Sequence, residues 1–171
     1  MSYVIRIDDR LVHGQVIEGW LKPLGIDTIV VCSDIVYCDE VSKTLFEMSA
    51  PTHVKLKCLP VDQTVEEIVK GEYEKNVVLI LISSLQDLYD LVVKIQQKIP
   101  DYKLPNVNVG GIRHIPGRKQ IYKALFLSKD DIEIIKKLDK LNVILEYYVL
   151  PNDEKILLNN KIQRLEEIVS R

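Results

Sequence analysis

Eight consecutive residues near the start of the 171-residue chain concentrate chemistry: Asp8-Asp9-Arg10-Leu11-Val12-His13-Gly14-Gln15. They bring two carboxylates, a guanidinium, an imidazole and a glycine into one short segment. The imidazole ring can take up a phosphoryl group whose oxygens then rest on nearby donors. Arg10, three residues before His13, offers a planar fork of donors that matches phosphate oxygens. Gly14 removes a side chain that would crowd an approaching donor group. Phosphoryl transfer asks little covalent work of its surroundings, so positioning and charge stabilisation carry the catalysis. The pattern therefore points to His13 as phosphoryl acceptor and Arg10 as the group that balances its charge. The plain structural alternative is that His13 caps a helix while Arg10 and Asp8 form an ion pair. Location, clustered opposite charges and the adjacent glycine favour the chemical reading.

The elements that must position this loop follow from hydrophobic periodicity. Val4–Ile7 reads as strand one, Thr28–Cys32 as strand two and Lys55–Leu59 as strand three. Asn76–Ile82 reads as a central fourth strand, Asn106–Val109 as a fifth, Ala124–Leu127 as a sixth and Val143–Val149 as a seventh. Between them, Gln15–Leu21 is a short helix stopped by Pro23 and Gly25. Asp39–Met48 is a helix with Val41, Leu45 and Met48 on one side. A helix opening at Asp62 or at Thr64, the latter with Glu67 as a capping box, ends at Gly71. A long helix starts at the N-cap Ser84 and ends before Pro100. Ser128 with Asp131 starts a helix to Lys140, and Glu154–Ser170 closes the chain as a helix. Alternation of this kind predicts an α/β fold: an open, mostly parallel twisted sheet of about seven strands with helices on both faces. No repeat, low-complexity tract or linker divides residues 1–171, so a single domain is expected.

In an open parallel sheet, ligands bind outside the carboxyl ends of the strands. That edge collects the loops Asp8–Gly14, Ser33–Tyr37, Ser83-Ser84 and Gly110–Lys119. Asp8, Asp9, Gly14, Gln15, Asp34, Gly110 and Gly111 are therefore the candidate supporting residues around His13 and Arg10. One of Asp8 and Asp9 is expected to hold Arg10. Asp34 either orients the imidazole across the cleft or caps a turn. Gly110-Gly111 fits close backbone approach to the His13 loop, since neither GxGxxG nor GxxxxGK[ST] is present to suggest a nucleotide site. His53 lies at the wrong edge and reads as a surface residue. His114 leaves strand five at the right edge, where an exposed loop residue is the favoured reading. Arg113, Arg118 and Lys119 either dock an acidic partner or form a solvated charged loop.

A net charge of −2 supplies no basic stripe for nucleic acid. The longest strongly apolar run, Val77–Ile82, is too short to span a bilayer, and the first ten residues do not read as a signal peptide. Cys32, Cys38 and Cys58 show no CxxC spacing and are expected to be buried reduced thiols in a cytoplasmic protein.

Arg6-Ile-Asp-Asp-Arg-Leu-Val-His-Gly-Gln-Val16 followed by Trp20 closely resembles the N-terminal signature of the mannose/sorbose-type IIB component of the bacterial sugar phosphotransferase system (PTS). Ile29–Asp34, Asp39, Met48-Ser-Ala-Pro51, Asn108-Val-Gly-Gly111 and Pro151 with Asp153 continue the resemblance along most of the chain. One departure is Cys32-Ser33, where many relatives carry an acidic or amide residue. The resemblance implies a histidine phosphocarrier and sugar phosphotransferase subunit: a IIA partner donates a phosphoryl group to His13 at Nδ1, and the group passes to a sugar carried by the membrane components IIC and IID. It implies Arg10 as charge stabiliser, no metal or organic cofactor, a cytoplasmic protein held at the membrane through IIC and IID, and a possible homodimer. The cysteine-based transfer of unrelated IIB classes is disfavoured because His13 occupies the place after strand one. The competing class is a non-catalytic regulatory or binding module on the same fold. A flavin or nucleotide binder would rest on fold analogy alone.

Overall fold

Val, Ile and Leu runs fit the pleated, buried surface of a sheet, and they form strands here. The computed structural model describes residues 3–171, and Met1 and Ser2 lie outside the described residues. In chain order the strands are β1 (Tyr3–Asp8), β2 (Thr28–Cys32), β3 (Lys55–Leu59), β4 (Val78–Ile82), β5 (Val107–Gly111), β6 (Lys119–Tyr122), β7 (Leu125–Leu127), β8 (Leu145–Tyr147) and β9 (Ile156–Leu157). The main sheet is seven-stranded in the order β3-β2-β4-β1-β5-β8-β9. All pairings in it are parallel except that of β9 with β8.

The helices are α1 (Gly14–Val16), a π-helical turn at Ile17–Leu21, α2 (Lys22–Leu24), α3 (Asp34–Tyr37), α4 (Glu40–Ser49), α5 (Val61–Val69), α6 (Leu85–Lys98), α7 (Lys129–Lys140), a 3-10 turn at Asn159–Lys161 and α8 (Ile162–Ser170). Strand side chains alternate between faces, and two cores result. Ile5, Ile7, Val30, Ile80 and Ile82 pack against Val65, Leu88, Leu91, Ile135 and Leu165 of α5 to α8. Ile29, Val31, Leu79 and Leu81 pack on the other face against Leu11, Val12, Trp20 and Val36. Helices on both sheet faces explain why β2 and β4 read as unbroken apolar runs.

Several expectations need correction. Of the expected strand Ala124–Leu127, Ala124 belongs to a turn and Leu125–Leu127 forms β7, which pairs with β6 in a separate antiparallel hairpin. The seventh place in the sheet falls to β9, hidden in sequence by its two-residue length. The closing helix starts at Ile162 and not at Glu154, because β9 and the 3-10 turn occupy the intervening residues. The helix after β3 starts at Val61 behind Pro60, so Thr64 lies inside it and bonds back to the Pro60 carbonyl, while Glu67 pairs with Lys57. Helix Glu40–Ser49 forms where expected, yet Val41, Leu45 and Met48 face solvent. Of the cysteines, Cys32 is buried, Cys58 half-buried and Cys38 exposed, and all three are free thiols. Burial pushes the Cys32 thiol up to about 12.

Chain routing places a crevice beside β1. From β1 the chain runs through α1 and α2, on the face of Trp20, toward β2. From β5 it runs through the hairpin and α7, on the opposite face, to β8. Because β1 and β5 are neighbours, their connections diverge and open a gap at the carboxyl edge,.

Candidate active site

Asp8 is the hub of that gap. A strand period of two puts Arg6 and Asp8 on the same face of β1, and parallel register sets Arg6 beside Asn108 of β5,. The Arg6 guanidinium, fully buried, donates to Asp8 Oδ2 at 2.9 Å and to Asn108 Oδ1. It also lies 4.6 Å over the Trp20 ring. Its Nε has no hydrogen-bond partner among the described residues.

Past Asp8 the chain turns sharply, with Leu11 N–H donating to the Asp8 carbonyl at 2.9 Å. Leu11 takes φ of 56°, in the left-handed region that non-glycine residues rarely occupy,. Burial of Leu11 and Val12 in the core of that face holds the turn in place. The turn swings Arg10 back over Asp8: its backbone N–H and Nε each donate to Oδ1 at 3.2 Å, and Nη2 donates to Oδ2 at 3.3 Å. Arg10 Nη2 also donates to Gln15 Oε1 at 3.2 Å, and Nη1 keeps no protein partner among the described residues.

His13 sits at the N-cap of α1 with extended backbone. Its Nε2 lies 3.2 Å from Asp8 Oδ2. Burial raises the Asp8 carboxyl, but the hydrogen bond from Arg10, the charge of Arg6 and contact with His13 outweigh it and leave Asp8 below the ordinary carboxylate value. An ionised carboxylate only accepts, so Nε2 must carry the hydrogen in this pair. In a neutral ring the lone pair then resides on Nδ1, which has no hydrogen-bond partner among the described residues. The first amides of a helix lack intrahelical acceptors, so those of Gly14 and Gln15 lie open next to the ring. A Cβ on Gly14 would meet nothing within 4 Å, so this side of the site is open space.

The two glycines of β5 have different roles. Arg6 pairs with Asn108, Ile7 with Val109 and Asp8 with Gly111, so Gly110 is the extra residue of a bulge,. A Cβ on Gly110 would stand 1.9 Å from the Arg6 guanidinium carbon. Gly111 accepts Asp9 N–H at 3.1 Å, and a Cβ there would meet Asp8 at 3.6 Å, an ordinary contact. Both glycines belong to the strand, whereas the sequence reading had them in the loop after it.

The structure thus brings together Asp8, Arg10, His13, Gly14, Gln15, Gly110 and Gly111. Asp9 turns away from Arg10 and accepts Arg113 N–H at 2.8 Å, tying the loop after β5 to the loop after β1. Asp34 does not join the His13 network; its carboxylate accepts Val61 N–H at 2.8 Å and caps α5, whose own N-cap Pro60 has no side-chain acceptor. Ser33 likewise acts locally, its Oγ accepting Val36 N–H at the start of α3. His114 packs edge-on to Phe126 at 5.6 Å, and His53 is exposed near Pro51 at the opposite edge. Arg6, Asn108 and Trp20 were not singled out as site residues. The signal was present: a charged and an amide residue inside otherwise apolar parallel strands need buried partners. Among the described residues no cluster of three or more His, Cys, Asp or Glu could hold a metal ion.

This geometry defines an α/β protein with a histidine-bearing crevice at the switch point of a mostly parallel sheet. The family model of the PTS system sorbose subfamily IIB component matches residues 2–170. The sorbose-specific EIIB component of Klebsiella pneumoniae is 34% identical over 157 residues, covering 92% of each chain. The fructose-specific EIIB component of Bacillus subtilis (strain 168) is 34% identical over 148 residues, covering 86% of this chain and 87% of that one. The crystal structure of the IIBSor domain of the sorbose permease from Klebsiella pneumoniae superposes with a TM-score of 0.82 at 32% identity, covering 96% of this chain and 98% of that one. The chain belongs to the sorbose-subfamily IIB components of the sugar phosphotransferase system.

Proposed function

We propose that His13 is the phosphoryl acceptor and donor of this IIB component, with residues 1–171 acting as one domain. IIB components work in general with IIA proteins and with membrane IIC and IID subunits. On this reading the His13 Nδ1 lone pair attacks the phosphorus of a phosphohistidine on a IIA partner. The new N–P bond forms as the donor's N–P bond breaks. Arg10 Nη1 and the amides at the start of α1 face the phosphoryl oxygens. In the second step a sugar hydroxyl, presented by IIC and IID at the membrane, attacks the phosphorus. The N–P bond then breaks, its electron pair returns to Nδ1, and the hydroxyl proton is released. Throughout, Asp8 holds the Nε2 hydrogen and keeps the ring in one tautomer.

The observation that carries this reading is the 3.2 Å contact between His13 Nε2 and the ionised Asp8, which leaves Nδ1 as the nucleophile. The test is phosphoryl transfer from a phosphorylated mannose/sorbose-type IIA domain to wild type and to His13→Ala. Label on wild type and none on the variant is the expected result. Undiminished label on the variant removes His13 from the reaction. Arg10→Ala should still accept label, on the order of 100-fold more slowly, the usual cost of losing one preorganised charge-stabilising donor. Which sugar receives the group is a property we assign to the membrane subunits. Relatives of about equal identity carry the names sorbose and fructose.

A further inference from the structure

The buried Arg6 guanidinium keeps its place by more than the carboxylate it serves. Its Nη2 donates to Asp8 Oδ2 at 2.9 Å, and its Nε has no partner among the described residues. For Nη1 the acceptor among those residues is Asn108 Oδ1. Trp20 covers the guanidinium at 4.6 Å, and the missing side chain of Gly110 leaves the space it fills. Of these supports, Asn108 alone carries a direction. An amide accepts at one end and donates at the other. Asn108 Nδ2 donates to the Tyr148 carbonyl at 2.8 Å, so Oδ1 has to face Arg6. That carbonyl is held in turn from two sides. Strand β8 pairs Glu146 with Asn108. Trp20 stacks on the Tyr148 ring at 5.7 Å and donates from Nε1 to the Val149 carbonyl at 3.1 Å.

The contacts run on from Arg6 to the reacting ring. Asp8 Oδ2 meets both Arg6 Nη2 and His13 Nε2, so the position of that one oxygen orients the imidazole. Arg10, the other cation on Asp8, is 44% exposed and on the reading above serves the phosphoryl oxygens. Arg6 is the fixed one. Resting on that reading, we propose that Asn108 is a positioning residue for phosphoryl transfer. It aims Arg6 at Asp8 and so holds the His13 ring with Nε2 on the carboxylate and Nδ1 free to attack. Asn108 itself is fully buried, out of reach of any donor or sugar. A side chain on β5 thereby sets the ring on the loop after β1. Leucine at position 108 has a similar size but gives Arg6 Nη1 no acceptor. Aspartate keeps the shape, yet it turns an acceptor toward the Tyr148 carbonyl and competes with Asp8 for the guanidinium. Either change loosens Arg6 from Asp8 Oδ2.

The test compares wild type, Asn108→Leu, Asn108→Asp and Leu91→Ala as full chains. Leu91 is fully buried on the opposite face of the sheet and controls for lost stability alone. The first readout is the NMR signal of the His13 Nε2 proton in the unphosphorylated protein. The Trp20 Nε1 proton marks an intact neighbourhood. Wild type and Leu91→Ala should show one ring form, protonated at Nε2. In both Asn108 variants the Trp20 signal should remain, while the Nε2 proton is lost to solvent exchange and rings protonated at Nδ1 appear. The second readout is single-turnover transfer from a phosphorylated mannose/sorbose-type IIA domain at varied donor concentration. Misplacing a reacting atom by about 1 Å costs up to about 100-fold in rate. The maximal rate should therefore fall at least about tenfold in both Asn108 variants, with the half-saturating donor concentration changed less than about twofold. Either readout unchanged in both variants overturns the proposal. So does an equal loss in Leu91→Ala, which would make Asn108 a residue of the fold alone. If Asn108→Leu does not fold, Asn108→Asp decides. Label on His13→Ala would sink the acceptor assignment, while the Nε2 signal, read without phosphate, still decides whether Asn108 orders the ring.

Discussion

At the scale of single residues, Asp8 organises the site. It is fully buried and takes hydrogen bonds from Arg6, Arg10 and His13. Its folded value is lowered, so its pairing adds stability that is present above the unfolded carboxylate value of about 3.9. That stability is lost as pH falls through about 3.9 and then through the lower folded value. Urea unfolding of wild type and Asp8→Asn from pH 7 down to pH 3 should show wild type more stable at neutral pH, with the gap closing in acid. A gap independent of pH would mean that the carboxylate charge contributes nothing. Asp8, Arg10 and His13 were legible because opposite charges crowded into eight residues have few other uses. The site roles of Arg6 and Asn108 were not legible, because each sits alone in an apolar run and only strand register sets them side by side. Of the two roles the sequence left open for Asp34, the structure takes the capping one, since α5 begins behind Pro60 and draws on a carboxylate from the start of α3.

At the scale of elements, the bulge in β5 couples the sheet to the site. Gly110 is the unpaired residue, and the absence of its side chain makes room for the Arg6 guanidinium. The end of an arginine is ordinarily free to move aside. This one is pinned by Asp8 and Asn108 and covered by Trp20. Gly110→Ala should therefore destabilise by about 1–3 kcal/mol through overpacking. Arg6→Ala should cost about 3–5 kcal/mol by leaving Asp8 less compensated. Combined, the two should cost at least about 0.5 kcal/mol less than their sum, because the second change removes the clash made by the first. Denaturant titration of the four proteins measures the coupling, and strict additivity would show that Gly110 and Arg6 do not meet. Strand positions for β1 to β5 were legible from apolar runs bounded by turn residues. The bulge was not, since a glycine pair after a strand reads equally well as the start of a loop.

At the scale of the whole molecule, the two faces of the sheet are covered unequally. On one side α5, α6, α7 and α8 bury full apolar stripes against the strands. On the other, the helical stretch after His13 supplies Trp20 and Leu21, and α4 adds only partly buried Phe46. Periodicity puts Val41, Leu45 and Met48 on one side of α4, but spacing does not say whether that side meets the sheet. The structure turns that side outward, leaving Met48 79% exposed. Replacing Val41 and Met48 together by Gln should change stability by no more than about 0.5 kcal/mol, as for surface positions generally. Leu91→Ala on α6, a fully buried position, should cost about 2–5 kcal/mol,. Thermal unfolding of both variants separates the cases. A large loss on α4 would mean that its apolar side is covered in solution, whereas equal tolerance at both sites would contradict the assignment of the core to the α6 side of the sheet.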